Sequence, residues 1–530
     1  LSKKLLKSGL IVSFMTLISR VLGLVRDVVM ANFMGASSGA DVFFFANKIP
    51  NFLRKLFAEG AFAQAFVPVL SEVNEQEKEQ SLDETRQLIA YVSGTLGVIL
   101  SIVTLVGVVA SPLLVMLFGF GWFYDWLNDG PNGDKFELAS SLLKITFPYL
   151  WFISLTALAG AILNTLGKFA VAAFTPVLLN ITIILAAVFG HDYFDLPAYA
   201  LAWGVFFGGL VQFLFQLPFL YKAGVLVKPS WGWKTPGVQK IKRLLIPALF
   251  GVSVTQINLL LDTLIASFLV SGSISWLYYA DRLLEFPLGV FGIGIATVIL
   301  PTLSRLHTSK GTQEFNDTMD WGLKFVLFMG LPALAGLMVL AQPIVSVLFM
   351  RGAFTAYDVA QVSYALFAYL SGLVSFMLIK IFAPGYYARQ DTKTPVKIGI
   401  IAMVANMVLN LMLAPILGYV GLALATTLSG TLNAILLYRG LHKSSVFTLS
   451  KATLLFALKL VVSAALMAAV VYHFSPAFEQ WLTFTFARKV SLLVGLILLG
   501  VTVYFVLALL LGVRLSDFKV QTTRSESEQV

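Results

Sequence analysis

Charged residues sit where an apolar chain should carry none. Arg20, Arg26 and Asp27 lie inside one long apolar run, and Asp41, Lys48, Arg54, Lys55 and Glu59 lie inside the next. A third group, Asp281, Arg282 and Glu285, lies inside a later run. A cation at the centre of a membrane-spanning helix costs about 2.5–3.5 kcal/mol on insertion scales, so four arginines facing lipid would cost on the order of 10 kcal/mol. At about 100° per residue, Arg20 and Asp27 share a helix face and Arg26 lies one step round, all within a wedge of about 120°. Asp41, Lys48 and Lys55 also recur every seven residues, with Pro50 expected to kink the helix between them. Snorkelling to the headgroups accounts for Lys55, Lys144, Lys324 and Lys459, but Arg20, Arg26 and Arg282 are too far from the ends of their runs. Ion pairing with Asp27, Asp41, Glu59, Asp281 and Glu285 is a second explanation, and it leaves cations in excess. The arginines are therefore expected to line a hydrated cavity. Their planar, five-donor fork suits phosphate oxygens, so the expected ligand is a phosphorylated anion.

The elements that must position these charges follow from composition. The chain has 530 residues, 58% hydrophobic and 12% charged, with a formal charge of +10. Soluble chains carry about 45–50% apolar and about 25% charged residues, so a soluble enzyme, a disordered chain and a disulfide scaffold are excluded. The absence of cysteine removes thiolate metal sites and thiol nucleophiles. His191, His307, His442 and His473 are scattered and no paired acidic motif accompanies them, so no enzymatic constellation is expected. The apolar runs lack barrel alternation and are long enough to cross about 30 Å of hydrocarbon as helices. They predict an all-α polytopic membrane protein with 14 transmembrane helices, at 10–35, 40–70, 87–118, 138–165, 170–190, 198–221, 243–270, 274–304, 320–341, 357–385, 395–415, 420–440, 452–473 and 488–512. Most lysines and arginines then fall in loops on one face, with Lys135, Arg351, Arg488 and Lys489 on the other. The positive-inside rule places that face, and both termini, in the cytoplasm. Trp231 and Trp233 are expected as interfacial anchors. Lys3, Lys4 and Lys7 precede a span too long for a signal peptide, so none is expected.

The chain also repeats itself. Ala110-Ser111-Pro112 with the following Leu113–Phe118 matches Ala341-Gln342-Pro343 with Ile344–Phe349, an offset of 231. Pro68–Ser71 matches Pro301–Ser304, Ala46-Asn47-Lys48 matches Ala280-Asp281-Arg282 at 234, and Thr175-Pro176-Val177 matches Thr394-Pro395-Val396 at 219. Six spans separate the copies, so they run parallel, as in one class of transporters. The expected organisation is two six-helix lobes in parallel pseudo-repeat plus two extra C-terminal helices. The boundaries are 1–222 for the N-lobe, 223–242 for a cytoplasmic linker, 243–441 for the C-lobe, 442–512 for spans 13 and 14, and 513–530 for a cytoplasmic tail.

Several stretches resemble a known family. Ser19-Arg20-Val21-Leu22-Gly23, Arg26-Asp27, Asp41–Phe44, Pro50-Asn51-Phe52-Leu53-Arg54 and Phe57-Ala58-Glu59-Gly60-Ala61-Phe62 look like the opening of the MurJ (MviN) lipid II flippases. Ser275-Trp276-Leu277-Tyr278-Tyr279-Ala280-Asp281-Arg282-Leu283 and Ala383–Asp391 look like later parts of the same family. The resemblance runs essentially end to end. It implies a fourteen-span fold of the MOP (MATE-like) superfamily in the bacterial inner membrane. Such a protein would carry lipid II, the undecaprenyl-pyrophosphate-linked peptidoglycan precursor, to the periplasmic leaflet by alternating access. On the matching positions Arg20, Arg26, Arg54 and Arg282 would bind the pyrophosphate, supported by Asp27, Asp41, Lys48, Glu59 and Asp281. Spans 13 and 14 would form a groove for the lipid tail. No catalytic residue is implied, and the expected state is a monomer among membrane lipids, without nucleic acid, with cell-wall synthesis proteins as candidate partners.

Some members of that family bind Na+ in the second lobe, on positions that match Asp262, Asn406, Asn410 and Thr426. Asn406 and Asn410 share a helix face, and oxygen ligands suit a hard cation. A carboxylate of some members is Asn410 here, which lowers the charge of such a site. Asparagines four apart inside a span serve equally well as interhelical hydrogen-bonding groups. Rival readings are an exporter of another polyprenyl-diphosphate saccharide or of drugs, and a polytopic enzyme. The basic lumen argues against cationic drugs, and the missing acid–base motif argues against the enzyme.

Overall fold

The computed structural model describes residues 3–56, 62–76, 83–292, 299, 302–306 and 312–518, and the described residues form helices joined by short turns. In chain order these are α1 (Lys3–Met34), α2 (Ser38–Arg54), α3 (Phe62–Gln76), α4 (Asp83–Val109), α5 (Ser111–Phe118), α6 (Phe120–Leu127), α7 (Gly133–Thr146), α8 (Tyr149–Thr165), α9 (Phe169–Gly190), α10 (Pro197–Lys222) and α11 (Pro236–Ala266). They continue as α12 (Ser273–Pro287), α13 (Thr312–Val339), α14 (Ala341–Phe349), α15 (Ala356–Leu370), α16 (Leu373–Tyr387), α17 (Lys393–Leu417), α18 (Tyr419–Lys443), α19 (Lys451–Phe474), α20 (Phe478–Thr483) and α21 (Phe486–Leu510). Ten of the helical segments among the described residues are long and apolar enough to cross a membrane, with α7–α8 and α15–α16 each counted as one. They coincide with ten of the fourteen expected spans. The other four, at 10–35, 40–70, 243–270 and 274–304, lie in part outside the described residues and side chains.

The helix boundaries repeat as the sequence does. The long α4 breaks at Ala110 into the short α5, and α13 breaks at Leu340 into α14. A turn at 147–148 divides α7 from α8, and a turn at 371–372 divides α15 from α16. Past Pro50, α2 passes into a π turn at 55–56; α12 passes at Pro287 into a π segment at Leu288–Gly292. The offset of 234 places these two π turns at equivalent positions. Each loosens the backbone ladder just beyond a charged stretch, a setting in which π-bulges frequently mark functional sites.

Packing divides the described chain into two compact units, one of residues 1–275 with 351–354 and one of 276–350 with 355–530. The first unit is assembled through small residues and buried amides, as expected where lipid supplies no hydrophobic drive between helices. Gly204 of α10 lies against the backbone of Ile183 in α9, where a Cβ would approach Ala186 to 2.7 Å. Gln212 donates to the Thr175 carbonyl at 2.9 Å and accepts from the Tyr149 hydroxyl at 3.4 Å, tying α10 to α9 and α8. Leucines such as Leu105, Leu113 and Leu185 point outwards and are exposed, as hydrocarbon-facing positions should be.

In the second unit, α15 starts in a capping box, with Thr355 and Asp358 satisfying each other's backbone N–H groups. Spans 13 and 14, here α19 and α21, dock on α13. The Tyr504 hydroxyl donates to the Phe328 carbonyl at 2.8 Å, Thr453 donates to Asp320, and the Trp321 indole donates to the Phe518 carbonyl at 2.9 Å. Lys324, expected to snorkel, instead pairs with Asp320 at 2.8 Å and lies over the Phe456 ring. An acid one helical turn earlier had already supplied its partner.

Candidate functional site

The charges of the first unit are positioned by α1, α2, α7, α9 and α11. In the middle of α1, Arg26 folds back on its neighbour, with Nε and Nη2 donating to Asp27 Oδ1 at 3.1 and 2.8 Å. Its Nη1 donates to Asn180 Oδ1 of α9 at 3.0 Å, and Asn180 Nδ2 donates to the Ser19 carbonyl at 3.1 Å. Asp27 is buried, and the Arg26 side chain is 16% exposed. These three contacts engage all three guanidinium nitrogens and fix the plane of the fork. Arg20 lies nearly two turns earlier and is exposed.

In α2, Ser37 caps the first turn by accepting from the Ala40 N–H. Asp41, expected as a cavity charge, is 1% exposed and fully committed. Its Oδ1 accepts from Ser275 N at 2.9 Å and Ser275 Oγ at 2.7 Å, and its Oδ2 accepts from Gly272 N at 2.6 Å. The carboxylate therefore caps the first turn of α12, which up to Ser275 belongs to this unit, and meets the positive end of that helix. Lys135 Nζ stands 3.7 Å from Asp41 Oδ2 and over the Trp122 ring. The sequence placed Lys135 in an outer loop; it lies in α7 and is buried. One helical stretch further, Lys48 donates to Thr263 Oγ1 of α11 at 3.1 Å, and Arg54 Nε donates to Asn51 Oδ1 at 3.2 Å. Glu59 lies outside the described residues.

Arg282 and Asp281 belong to the second unit, on α12. Arg282 Nη1 donates to Glu285 Oε2 at 2.9 Å, with side chains 38% and 55% exposed, and its guanidinium lies 4.9 Å from the Tyr278 ring centre. An ion pair this exposed is worth about 0–1 kcal/mol, so Arg282 and Glu285 part at little cost. Asp281 is partly buried. The surrounding motif builds the helix: Trp276 Nε1 donates to Asp358 Oδ1 at 3.0 Å, and Tyr279 is buried against Phe349. The Ala383–Asp391 motif is likewise architectural. The Tyr386 hydroxyl donates to the Leu437 carbonyl at 2.7 Å, and Asp391 accepts from the Thr394 N–H at 3.0 Å. Hydrogen bonds from the Thr394 side chain and backbone hold the Asp391 carboxyl below the usual carboxylate range.

Three of the residues matched to a sodium site gather in the second unit. Asn410 Nδ2 donates to Asn406 Oδ1 at 2.7 Å, and Asn406 Nδ2 reaches Thr426 Oγ1 at 3.4 Å and Ser429 Oγ at 3.2 Å. The oxygens are neutral and serve each other as an interhelical net between α17 and α18. Asp262 belongs to the first unit. Among the described residues no group of three or more His, Cys, Asp or Glu could hold a metal.

Sequence reasoning missed Asn180, Thr263 and Lys135. Asn180 left a signal, being the one amide in the apolar run from Phe169 to Gly190. Thr263 left none that distinguishes it from any other threonine in a span.

Parallel-repeat helices carrying held guanidinium groups within them define a polytopic membrane transporter. Solved structures agree on the fold: an inward-facing MATE-family multidrug resistance transporter of the MOP superfamily, 15% identical, aligns with a TM-score of 0.67 over 82% of this chain and 98% of that one. The inward closed conformation of a lipid II flippase MurJ aligns with a TM-score of 0.78 at 29% identity, over 94% of this chain and 98% of that one. A family model described as lipid II flippase MurJ matches residues 30–492. A probable lipid II flippase MurJ of Vibrio cholerae serotype O1 is 63% identical over 98% of this chain and 99% of its own length. The lipid II flippase MurJ of Burkholderia cenocepacia is 39% identical over 97% and 99%. The chain belongs to the MurJ lipid II flippase family.

Proposed function

We propose that the chain translocates lipid II from the cytoplasmic to the periplasmic leaflet of the bacterial inner membrane, breaking no covalent bond. The observation that carries the reading is the guanidinium of Arg26, held in mid-helix by Asp27 and Asn180 at 2.8–3.1 Å. A charged residue held inside a span is costly and marks a functional site by default, and membership of the family supplies a pyrophosphate as its ligand. Arg20, Arg54 and Arg282 complete the anion-binding set, with Lys48 and Glu59 as supporting charges. The polyprenyl tail stays in lipid, and α19 and α21 provide its groove.

The cycle is alternating access of two six-span lobes, 1–222 and 243–441, joined by the 223–242 linker. Bound pyrophosphate offsets repulsion among the arginines and so favours the state in which they converge; the empty site favours the open one. A membrane potential negative inside drives an anion outwards at about 2.3 kcal/mol per charge per 100 mV. That is the direction of export. Both termini are cytoplasmic, by the distribution of lysine and arginine, and the working unit is a monomer. Sodium coupling through the second unit's Asn406, Asn410 and Thr426 is part of the proposal; Na+ would supply local positive charge that draws their amide and hydroxyl oxygens together. Replacing Arg26 or Arg282 by alanine should abolish lipid II flipping in proteoliposomes, and wild-type rates in both variants would overturn the reading.

A further inference from the structure

One end of the first unit is closed by two contacts that the internal repeat relates to each other. Gly121 of α6 lies on the last turn of α11: its N–H donates to Ser267 Oγ at 3.0 Å, and a Cβ there would come within 2.5 Å of the Ser267 carbonyl oxygen. Gly352, at φ +53°, lies on the last turn of α1, where a Cβ would overlap the Asn32 carbonyl. The neighbouring Ala353 N–H donates to that carbonyl at 2.9 Å. The offset of 231 carries Gly121 onto Gly352, and the offset of 234 carries Asn32 and Phe33 onto Ala266 and Ser267. Each repeat copy thus lays a glycine on the end of the other copy's first helix. The offset of 234 also exchanges Asp41 and Ser275, which are bonded to each other at 2.7 and 2.9 Å. Ser38 and Ser271, related in the same region, touch through their hydroxyls at 3.3 Å.

We infer that Gly121 and Gly352 are paired positioning residues of an outer gate, a pseudo-symmetric clasp that closes the periplasmic end during transport. The inference rests on the proposed transport reading and on the topology that puts these turns outside. Backbone meets backbone in both clasps, so the contact forms only when the helix ends arrive together, and it parts without unpicking interlocked side chains. Its pseudo-symmetry makes the two halves equivalent, so opening one removes the support of the other. Lys135 explains how the central carboxylate tolerates opening. It is carried by the same repeat copy as Asp41, and it keeps that buried charge compensated once the Gly272 and Ser275 donors withdraw.

The chain contains no cysteine, so a single introduced thiol reports opening cleanly. Ser273, buried at 1% exposure on the first turn of α12, is the position to change. In a Ser273→Cys background, labelling from the periplasmic side by a membrane-impermeant maleimide reads the open fraction. Ser267→Ala adds no atom; it removes the bond to Gly121 and a local one from Ser267 Oγ to the Leu264 carbonyl, which lies at the end of α11 and does not depend on the clasp. It should raise the labelling rate about fivefold, the value of one hydrogen bond as a population ratio. Gly121→Val and Gly352→Val should raise it further. A disulfide between Ser38→Cys and Ser271→Cys should stop flipping of lipid II, and reductant should restore it. Unchanged labelling in Ser267→Ala and in any glycine variant that folds would overturn the clasp, as would flipping by the disulfide-bonded protein. Labelling that rises as expected in a protein that never flips lipid II would refute the transport reading and leave the clasp standing.

Discussion

Asn180→Ala tests whether Arg26 works as a held guanidinium or as a bare charge. The substitution removes the acceptor 3.0 Å from Arg26 Nη1 and the donor 3.1 Å from the Ser19 carbonyl, and it leaves every formal charge in place. Interhelical side-chain bonds inside membranes average about 0.6 kcal/mol and reach about 1.7, so α1 and α9 should stay together and the melting temperature should fall only slightly. Function should suffer more. With Asn180 gone, Arg26 loses the anchor on Nη1, and the fork can swing about its contacts to Asp27. Losing about 1.4 kcal/mol of preorganisation corresponds to about tenfold in rate. Arg26→Lys should cost at least as much, because one ammonium cannot reproduce the two contacts to Asp27 and the third to Asn180. The assay is lipid II flipping in proteoliposomes, normalised to folded protein. Wild-type flipping by Asn180→Ala, together with severe loss in Arg26→Ala, would show that charge alone matters and refute the positional argument.

Other outcomes follow from the same geometry. Glu285→Gln should release Arg282 from its 2.9 Å partner and tighten binding of a polyprenyl pyrophosphate by about two- to fivefold, within the range of an exposed ion pair; weaker binding would mean that Glu285 positions the arginine instead. Tyr504→Phe removes the bond to the Phe328 carbonyl and should cost about 0.6–1.7 kcal/mol of stability. Thermal unfolding in detergent measures this, and an unchanged melting temperature would show that the bond does not hold α21 on α13. Flipping measured with and without Na+ should show stimulation that Asn406→Ala abolishes; equal rates in both salts would remove sodium from the cycle.

The fold was legible because its signal is spread over hundreds of residues. Twenty-residue apolar runs, and breaks at Ala110 and Leu340 that fall within one residue of the repeat's alignment, survive any local error. The site was legible only as a set of residue types. That Arg26, Asp27 and Arg282 are unusual follows from the cost of charge in lipid. Which partner each takes does not, because it depends on side chains brought together across the chain. Asn180 is 154 residues from Arg26, and Thr263 is 215 from Lys48. Lys135 shows the limit most clearly. Its position near a span end reads as an outer loop, yet α7 begins at Gly133 and turns the side chain inwards to Asp41. Asp41 itself was grouped with the supporting cavity charges because the sequence reports charge and depth, and neither reveals that the carboxylate caps a helix N-terminus 231–234 residues away.

The central claim is that a guanidinium site selects and moves a pyrophosphate-linked lipid that carries the peptidoglycan headgroup. The most direct measurement compares flipping of lipid II with flipping of an unrelated polyprenyl-diphosphate saccharide, in the same proteoliposomes, for the wild-type chain and Arg26→Ala. Lipid II should be moved much faster than the other lipid, and Arg26→Ala should lose that transport. Equal rates for the two lipids would instead make the chain a general polyprenyl-diphosphate exporter, and undiminished transport by Arg26→Ala would remove the arginine site from the mechanism.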